Sequence, residues 1–153
     1  MEKLFNIIIR SREKLSKIIE STPREELIKI PEGFNNNIWW NIAHVVVTQQ
    51  LLVYKMSNLP MKIDVDLVAK FKKGTTPDGT VTSKEIETIT TLLISTANLL
   101  KEDYEKGIFK EFNEYTTSAN VTLSNVEDAI AFNIFHEGLH LGAIIALQKA
   151  LVL

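Results

Sequence analysis

Residues 131–142 read AFNIFHEGLHLG and place His136 and His140 inside a long apolar run. Residues four apart on an α-helix lie on the same face, about 6 Å apart along the axis. Two imidazoles on one buried face are unfavourable unless they bind something, and a divalent metal ion is a common partner. The chain has one further histidine, His44, in the apolar segment NIWWNIAHVVVTQQLLVY of residues 37–54. The pattern therefore predicts buried helices that share a three-histidine metal site.

Length and composition predict one globular domain over residues 1–153, with 45% hydrophobic and 24% charged residues. A net charge of -2, without a basic cluster, argues against a nucleic-acid partner. The chain has no cysteine, which excludes disulfides and thiolate metal ligands. Its start lacks the pattern of a signal peptide, and four polar residues interrupt the apolar stretch 129–147. We therefore expect a soluble cytoplasmic protein with no membrane span.

Hydrophobic periodicity and capping motifs predict an all-α four-helix bundle with long connections. Capping motifs begin at Thr22, Thr82 and Ser124, and the first of them should start a short additional helix. Residues 61–81 and 107–122 look irregular, and no strand pattern is clear. The four long helices are expected at residues 2–20, 38–57, 82–106 and 124–151.

Helices in a bundle pack about 8–10 Å apart, so His44 can meet the other two histidines at one point. Three nitrogen ligands leave a coordination position open for water or substrate, as in catalytic metal sites. The second ring nitrogen of each ligand needs a hydrogen-bond partner. Asn41 and Asn133, each one turn before a histidine, are the candidates on otherwise apolar stripes.

Two other interpretations of the histidines stay open at this point. They could be three unrelated side chains, each satisfied by a local hydrogen bond. His136 to His140 also spells H-E-x-x-H, in which Glu137 would be the general base of a zinc protease. No histidine or carboxylate follows His140 to complete that site, and Gly142 comes one residue too early for the longer protease motif. We therefore expect Glu137 at the rim of the site or hydrogen-bonded to a ligand.

The chain resembles the DinB-like superfamily of four-helix bundles with long connections. The resemblance rests on PEGFNNNIWWNIAH, the KGTTPD turn and AFNIFHEGLHLG, and it covers nearly the whole chain. It implies that His44, His136 and His140 bind a divalent metal such as zinc or nickel. Two positions differ from many members: Ala43 stands where they have glycine, and Ala143 where they have glutamine.

The family includes thiol-dependent S-transferases and isomerases, so the resemblance implies a metal-dependent enzyme. Its substrate would be a small electrophile, attacked by water or by an external low-molecular-weight thiol. The alternative is a non-catalytic protein that binds a divalent metal or a ligand. A third interpretation is an interaction module with structural histidines. Ionisable side chains at the open metal position would favour an enzyme, and Glu137 and Tyr54 are the candidates.

Three further expectations concern the surroundings of the site. Gly138, Gly142 and Ala146 recur every four residues, which favours tight packing within the bundle or, alternatively, a homodimer interface. We expect one of the two long connections to border the mouth of the site, with Phe112 or Tyr115 contacting substrate. Because ligating imidazoles must be neutral, metal affinity should fall below about pH 6.5.

Overall fold

The computed structural model describes residues 1–152, and these are mostly helical. A two-stranded antiparallel ribbon is the only sheet in this range. The helices are α1 (Glu2–Ser21), α2 (Arg24–Ile28), α3 (Ile38–Gln49), α4 (Val65–Phe71), α5 (Ser83–Glu105) and α6 (Val126–Val152), and the strands are β1 (Tyr115–Thr116) and β2 (Thr122–Leu123). The predicted all-α fold is confirmed.

The four long helices α1, α3, α5 and α6 form the bundle. α1 packs against α5 and α6, and α3 packs against the same two helices. α1 and α3 therefore face each other across the bundle, as do α5 and α6. The long connections after α3 and α5 join these helices and cover one end of the site described below.

Side-chain caps fix where three of the long helices begin. Asn37 accepts a hydrogen bond from the backbone N–H of Trp40, and Thr82 accepts one from Glu85. The predicted cap at Ser124 is wrong by one residue, because Asn125 accepts from the N–H of Asp128. The carboxylate of Asp128 accepts from the N–H of Ser124 instead.

The cap predicted at Thr22 is also displaced. α2 begins at Arg24, with Pro23 as its cap residue. No side chain caps this helix, so the motif located the short helix but not its first residue.

The predicted helix over residues 38–57 is divided into two helical types. α3 is α-helical to Gln49 and continues as a π-helical turn over Gln50–Lys55. The oxygen of the buried Gln50 side chain accepts from the backbone N–H of Lys62, which ties the following connection to this turn. π-helical turns are rare and occur frequently at functional sites.

The two connections contain more structure than expected. Residues 61–81 include α4, which is capped by the side chain of Asp64. Residues 107–122 contribute β1 and the start of β2, so the expectation of no strand is wrong at that ribbon. Each of these elements is only two to seven residues long, which is too short for hydrophobic periodicity to detect.

The apolar core is built mainly around α3. Eleven of its twelve residues are buried, including both tryptophans and His44. Two clusters of buried side chains fill the bundle: one surrounds α3 and the ends of α1 and α6, and the other lies around the π-helical turn, α5 and the start of α6.

α6 is apolar on nearly every side but is buried on only one. Phe135 is 52% exposed and Leu139 57% exposed. A Cβ added at Gly138 or Gly142 would meet no atom within 4 Å. The expectation that these glycines allow tight packing within the bundle is therefore wrong.

α6 is also long and apolar enough to cross a membrane by length and composition alone, and only 28% of its qualifying 18-residue window is buried. It is the one such helix among the described residues. We call its outward side the outer face of α6; it comprises Ala131, Phe135, Gly138, Leu139, Gly142, Ala143, Ile145 and Ala146, all exposed.

Candidate metal centre

His44, His136 and His140 come together between α3 and α6. One ring nitrogen from each lies within 4.8 Å of the other two. The Nε2 atoms of His136 and His140 are 3.1 Å apart, and the three rings approach one another with centroid distances of 4.4–5.1 Å. The sequence prediction that the three histidines lie together in the folded chain is therefore confirmed.

The orientation of His44 is fixed by the last residue of α4. Its Nδ1 lies 2.6 Å from the carbonyl oxygen of Phe71. Since a carbonyl only accepts hydrogen bonds, Nδ1 carries the proton and Nε2 presents a lone pair. The ring also stacks on Trp40, with centroids 4.4 Å apart and planes 12° from parallel. The Thr48 hydroxyl lies 3.2 Å from Nε2, at the side where a ligand would enter.

His140 is oriented by a relay through Asn41. The Asn41 amide nitrogen donates to the carbonyl of Asn37 at 2.7 Å, which turns its Oδ1 toward His140. That oxygen is 2.7 Å from Nδ1 of His140, so Nδ1 is the protonated nitrogen. The lone pair of His140 is consequently on Nε2, facing the other histidines. Asn41, proposed from sequence as a partner for a ring nitrogen, therefore lies against a histidine on the neighbouring helix.

His136 has no such partner in the described part of the chain. Its Nδ1 is buried without a hydrogen bond, and so is Oδ1 of Asn133. Asn133 instead donates to Glu137 at 2.7 Å. The structure therefore places Asn133 next to the carboxylate of Glu137, with no hydrogen bond to any of the three histidines.

Burial keeps the three histidines neutral. It lowers the pKa of His136 to about 3, with further contributions from the nearby His140, His44 and Arg12. The pKa of His140 is lowered to about 4 by burial and by His44. Burial also lowers the pKa of His44, against the raising effect of the Phe71 carbonyl. Neutral imidazoles are the form that binds a metal ion.

Glu137 is not at the rim of the site but inside the bundle, 1% exposed. Both its oxygens accept from Arg12, at 2.8 and 3.1 Å, and Arg12 also donates to the carbonyl of Val45 at 3.2 Å. This ion pair joins α1 to α6 and, through Val45, to α3. Nη1 of Arg12 is buried without a partner among residues 1–152.

Arg12 was not identified from sequence as part of the site region. A signal exists, since Arg12 occupies a buried position in the series Phe5, Ile8, Arg12, Leu15 and Ile19, with spacings of three and four. A charged residue on such a stripe predicts a buried ionic partner. The same ion pair removes Glu137 as a protease base, because its carboxylate is engaged away from the histidine nitrogens.

An open cleft of about 230 Å³ leads to His44 and His136. Both long connections border it: Lys73 comes from residues 61–81, and Tyr115 comes from residues 107–122. The other lining residues are Thr48, Leu51, Leu52, Lys55, Met56, Thr117, Ser118 and Phe132.

Three residues suggested from sequence do not line this cleft. Glu137 is held by Arg12, and the Tyr54 hydroxyl donates to Asp103 at 2.8 Å within the core. Burial, together with Asp103, raises the pKa of Tyr54. Phe112 packs instead against the apolar cluster around the π-helical turn and α5.

The residues present fit a divalent metal ion. Metal–nitrogen bonds of about 2.0–2.1 Å at tetrahedral angles place neighbouring ligand nitrogens about 3.3 Å apart. The 3.1 Å between the Nε2 atoms of His136 and His140 already matches that spacing. A ring nitrogen of His44 lies within 4.8 Å of a ring nitrogen of each of the other two histidines. Two of the three lone pairs are oriented by hydrogen bonds at the opposite ring nitrogen.

Comparison with known proteins agrees with this arrangement. No curated protein matches the chain. The sequence model of the DinB superfamily matches residues 7–144, a span that includes all three histidines and most of the bundle. A match over this share of the sequence, with a helical bundle and a three-histidine cluster, identifies the family: the chain belongs to the DinB superfamily.

Proposed function

We propose that the chain binds one divalent metal ion through Nε2 of His44, His136 and His140 and that the loaded protein is an enzyme. Zinc and nickel are the metals that we expect. The reaction is attack of an external low-molecular-weight thiol, or of water, on a small electrophilic substrate held in the cleft. We place this activity in the cytoplasm.

One observation supports the proposal most directly: the three histidines converge, and two of them, His44 and His136, line a cleft that opens to solvent. A structural metal site is closed by its protein ligands, whereas three ligands beside an open cleft leave room for a reactant. Nδ1 of His44 donates to the Phe71 carbonyl and Nδ1 of His140 donates to Asn41 Oδ1, and these hydrogen bonds support metal binding because they leave the lone pairs on the Nε2 atoms.

A bound metal would lower the pKa of a thiol or water and act as a Lewis acid. In thiol transfer, the sulfur forms a bond to the electrophilic carbon, and the leaving group departs with its electron pair. The thiol proton passes to solvent. The hydroxyl groups of Thr48 and Tyr115 lie along the cleft and are positioned to hydrogen-bond the reactants.

Metal analysis of protein purified without a histidine tag tests the binding step. We expect about one metal ion per chain, and a sharp loss of metal in each of H44A, H136A and H140A. Full metal occupancy in all three variants would show that the ligand assignment is wrong. Circular dichroism of each variant checks that the helical content is retained.

The catalytic step needs a separate assay. A set of small thiols, and water alone, should be screened against a chromogenic nitroaryl halide with zinc- and nickel-loaded protein. Turnover that depends on metal and is lost in H136A supports the enzyme. Stoichiometric metal binding without turnover of any such substrate supports the alternative.

That alternative is a non-catalytic protein that binds a divalent metal or a ligand, and a specific observation favours it. The two ionisable side chains expected at the open position, Glu137 and Tyr54, are both occupied in the core. No carboxylate among the described residues lines the cleft. An enzyme at this site would therefore depend on the metal and on Tyr115, Lys55 and Lys73 for its ionisable groups.

A further inference from the structure

The mouth of the cleft carries two positive side chains from different parts of the chain. Lys55 lies at the end of the π-helical turn, and Lys73 lies two residues after the end of α4. Neither the sequence patterns nor the family assignment gives these lysines a role. The folding of the connection 61–81 against α3 brings them to the same cleft as His44 and His136.

Both lysines lack a partner of opposite charge. Among residues 1–152, no carboxylate lies within 4.0 Å of the amino group of Lys55 or Lys73, whereas four other lysines of the chain are paired. Lys70, one turn before Lys73, contacts both Asp78 and Glu85. Lys70 thus engages two nearby carboxylates, and no acidic side chain lines the cleft to compensate Lys55 and Lys73.

The histidines beside the cleft add to this charge when a metal is bound. Three neutral imidazoles do not compensate a divalent cation, in contrast to carboxylate or thiolate ligands. The rest of the lining is half apolar, with Leu51, Leu52, Met56 and Phe132, and half hydroxyl-bearing, with Thr48, Tyr115, Thr117 and Ser118. A volume of about 230 Å³ suits a small organic molecule.

We propose that the cleft binds a small organic anion, whose carboxylate, phosphate or sulfonate group is held by Lys55 and Lys73. The apolar body of this ligand packs against Leu52 and Phe132 and extends toward the histidines. This inference deepens the proposed function, on which it rests, by assigning the chemical class of the molecule that enters the site. Lys55 and Lys73 are then specificity-determining residues.

The test compares two probes of the same shape, phenylpropionate and its neutral amide. Their dissociation constants are measured by calorimetry at low ionic strength, with zinc-loaded and with metal-free protein. We expect the carboxylate to bind at least about tenfold more tightly than the amide. A tenfold ratio of dissociation constants is about the effect expected of two exposed ion pairs acting together. K55M and K73M should each weaken carboxylate binding by about threefold to tenfold and leave amide binding unchanged. K72M removes the same charge from an exposed neighbour that does not line the cleft, and should change neither constant.

The metal-free protein separates this inference from the metal proposal. A carboxylate preference that depends on the lysines should persist there, even if the protein turns out to bind no metal. A preference seen only with zinc and insensitive to K55M and K73M would mean that the carboxylate binds the metal, which overturns the role of the lysines. Equal affinity for the two probes, or equal effects of K72M and K73M, would overturn it as well.

Discussion

Nδ1 of His140 donates a 2.7 Å hydrogen bond to the side-chain oxygen of Asn41. The Asn41 amide nitrogen donates in turn to the Asn37 carbonyl. The Asn37 carbonyl therefore fixes the tautomer of His140, a candidate metal ligand, through the side chain of Asn41. Sequence could suggest Asn41, because a lone amide on an apolar stripe needs a partner. It could not tell which histidine that partner is, since the contact crosses from α3 to α6. Glu137 and Arg12 form a second pair between helices, which sequence did not predict.

Asn41 gives the first prediction. In N41A, His140 loses the acceptor that keeps the proton on Nδ1, and its Nε2 is no longer held toward the other histidines. We expect metal affinity to fall by about 10- to 100-fold, the usual effect of losing such a partner. Competition with a chromophoric chelator measures it. N6A, at an exposed position of α1, serves as the control and should bind metal normally; wild-type affinity in N41A would refute the relay.

The buried ion pair gives the second prediction. E137Q keeps the shape of the side chain but leaves the Arg12 charge buried and uncompensated. We expect the free energy of unfolding to fall by about 3–5 kcal/mol, as measured by urea denaturation. The double variant R12M/E137M removes both charges and should be destabilised less than E137Q.

E87Q, on the exposed side of α5, provides the matched control and should lie within about 0.5 kcal/mol of wild type. An E137Q protein as stable as E87Q would mean that the pair contributes nothing. The metal content of folded E137Q should stay near wild type, because Glu137 does not contact the histidine nitrogens.

At the element scale, the long helices were predictable and the short elements were not. α1, α3, α5 and α6 are long enough for their apolar spacing to repeat several times, and Asn37 and Thr82 mark two starts within one residue. α4 and the β1–β2 ribbon depend on tertiary contacts, and nothing in QLLVYK distinguishes a π-helical turn from an α-helical one. For α6, an apolar composition on all sides could not reveal which side is buried.

The outer face of α6 gives the third prediction. Large exposed apolar patches on a soluble protein commonly mark an interface, and we expect this one to be covered by a second copy of the chain. Light scattering coupled to size exclusion should give twice the chain mass for wild type, and the monomer mass for L139E. T91E introduces the same charge at an exposed position of α5 and should remain dimeric. A monomeric wild type would contradict the homodimer, and recovery of the protein only with detergent would favour a membrane surface.

At the scale of the whole molecule, the site lies where two helices and two connections meet, and its protonation is linked to folding. The three histidines are neutral in the folded protein because they are buried, whereas in the unfolded chain their pKa is about 6.5. Sequence alone predicted proton competition with the metal below about pH 6.5. The lowered pKa of about 3 for His136 and about 4 for His140 moves that competition in the folded protein to lower pH.

The fourth prediction follows from this linkage in metal-free protein. Between the two sets of pKa values the unfolded chain binds more protons, so stability is full above about pH 6.5 and decreases as the pH falls toward 4. The slope should approach about 1.4 kcal/mol per pH unit for each histidine that stays neutral. Urea denaturation after treatment with chelator, at several pH values between 7.5 and 4.5, measures it.

Carboxylates also titrate between pH 7.5 and 4.5 and contribute to the slope of stability against pH. The double variant H136Q/H140Q lacks the two histidines and therefore shows the contribution of the carboxylates. It should show a shallower slope than wild type over that interval. Identical slopes in the two proteins would mean that these histidines are not kept neutral by burial.

Because His44 donates to the backbone carbonyl of Phe71, substitutions of the Phe71 side chain cannot test this hydrogen bond. A backbone oxygen is supplied by any amino acid, so no side-chain replacement at position 71 can delete it. Substituting every amino acid at position 71 would report only how well each side chain fills the core. It would not test the hydrogen bond from His44 to the backbone carbonyl. The contact can be tested instead by changing the path of the chain, for example by deleting Lys72 or by placing a proline within α4. Such changes should release His44 even when every side chain around the metal centre is left intact.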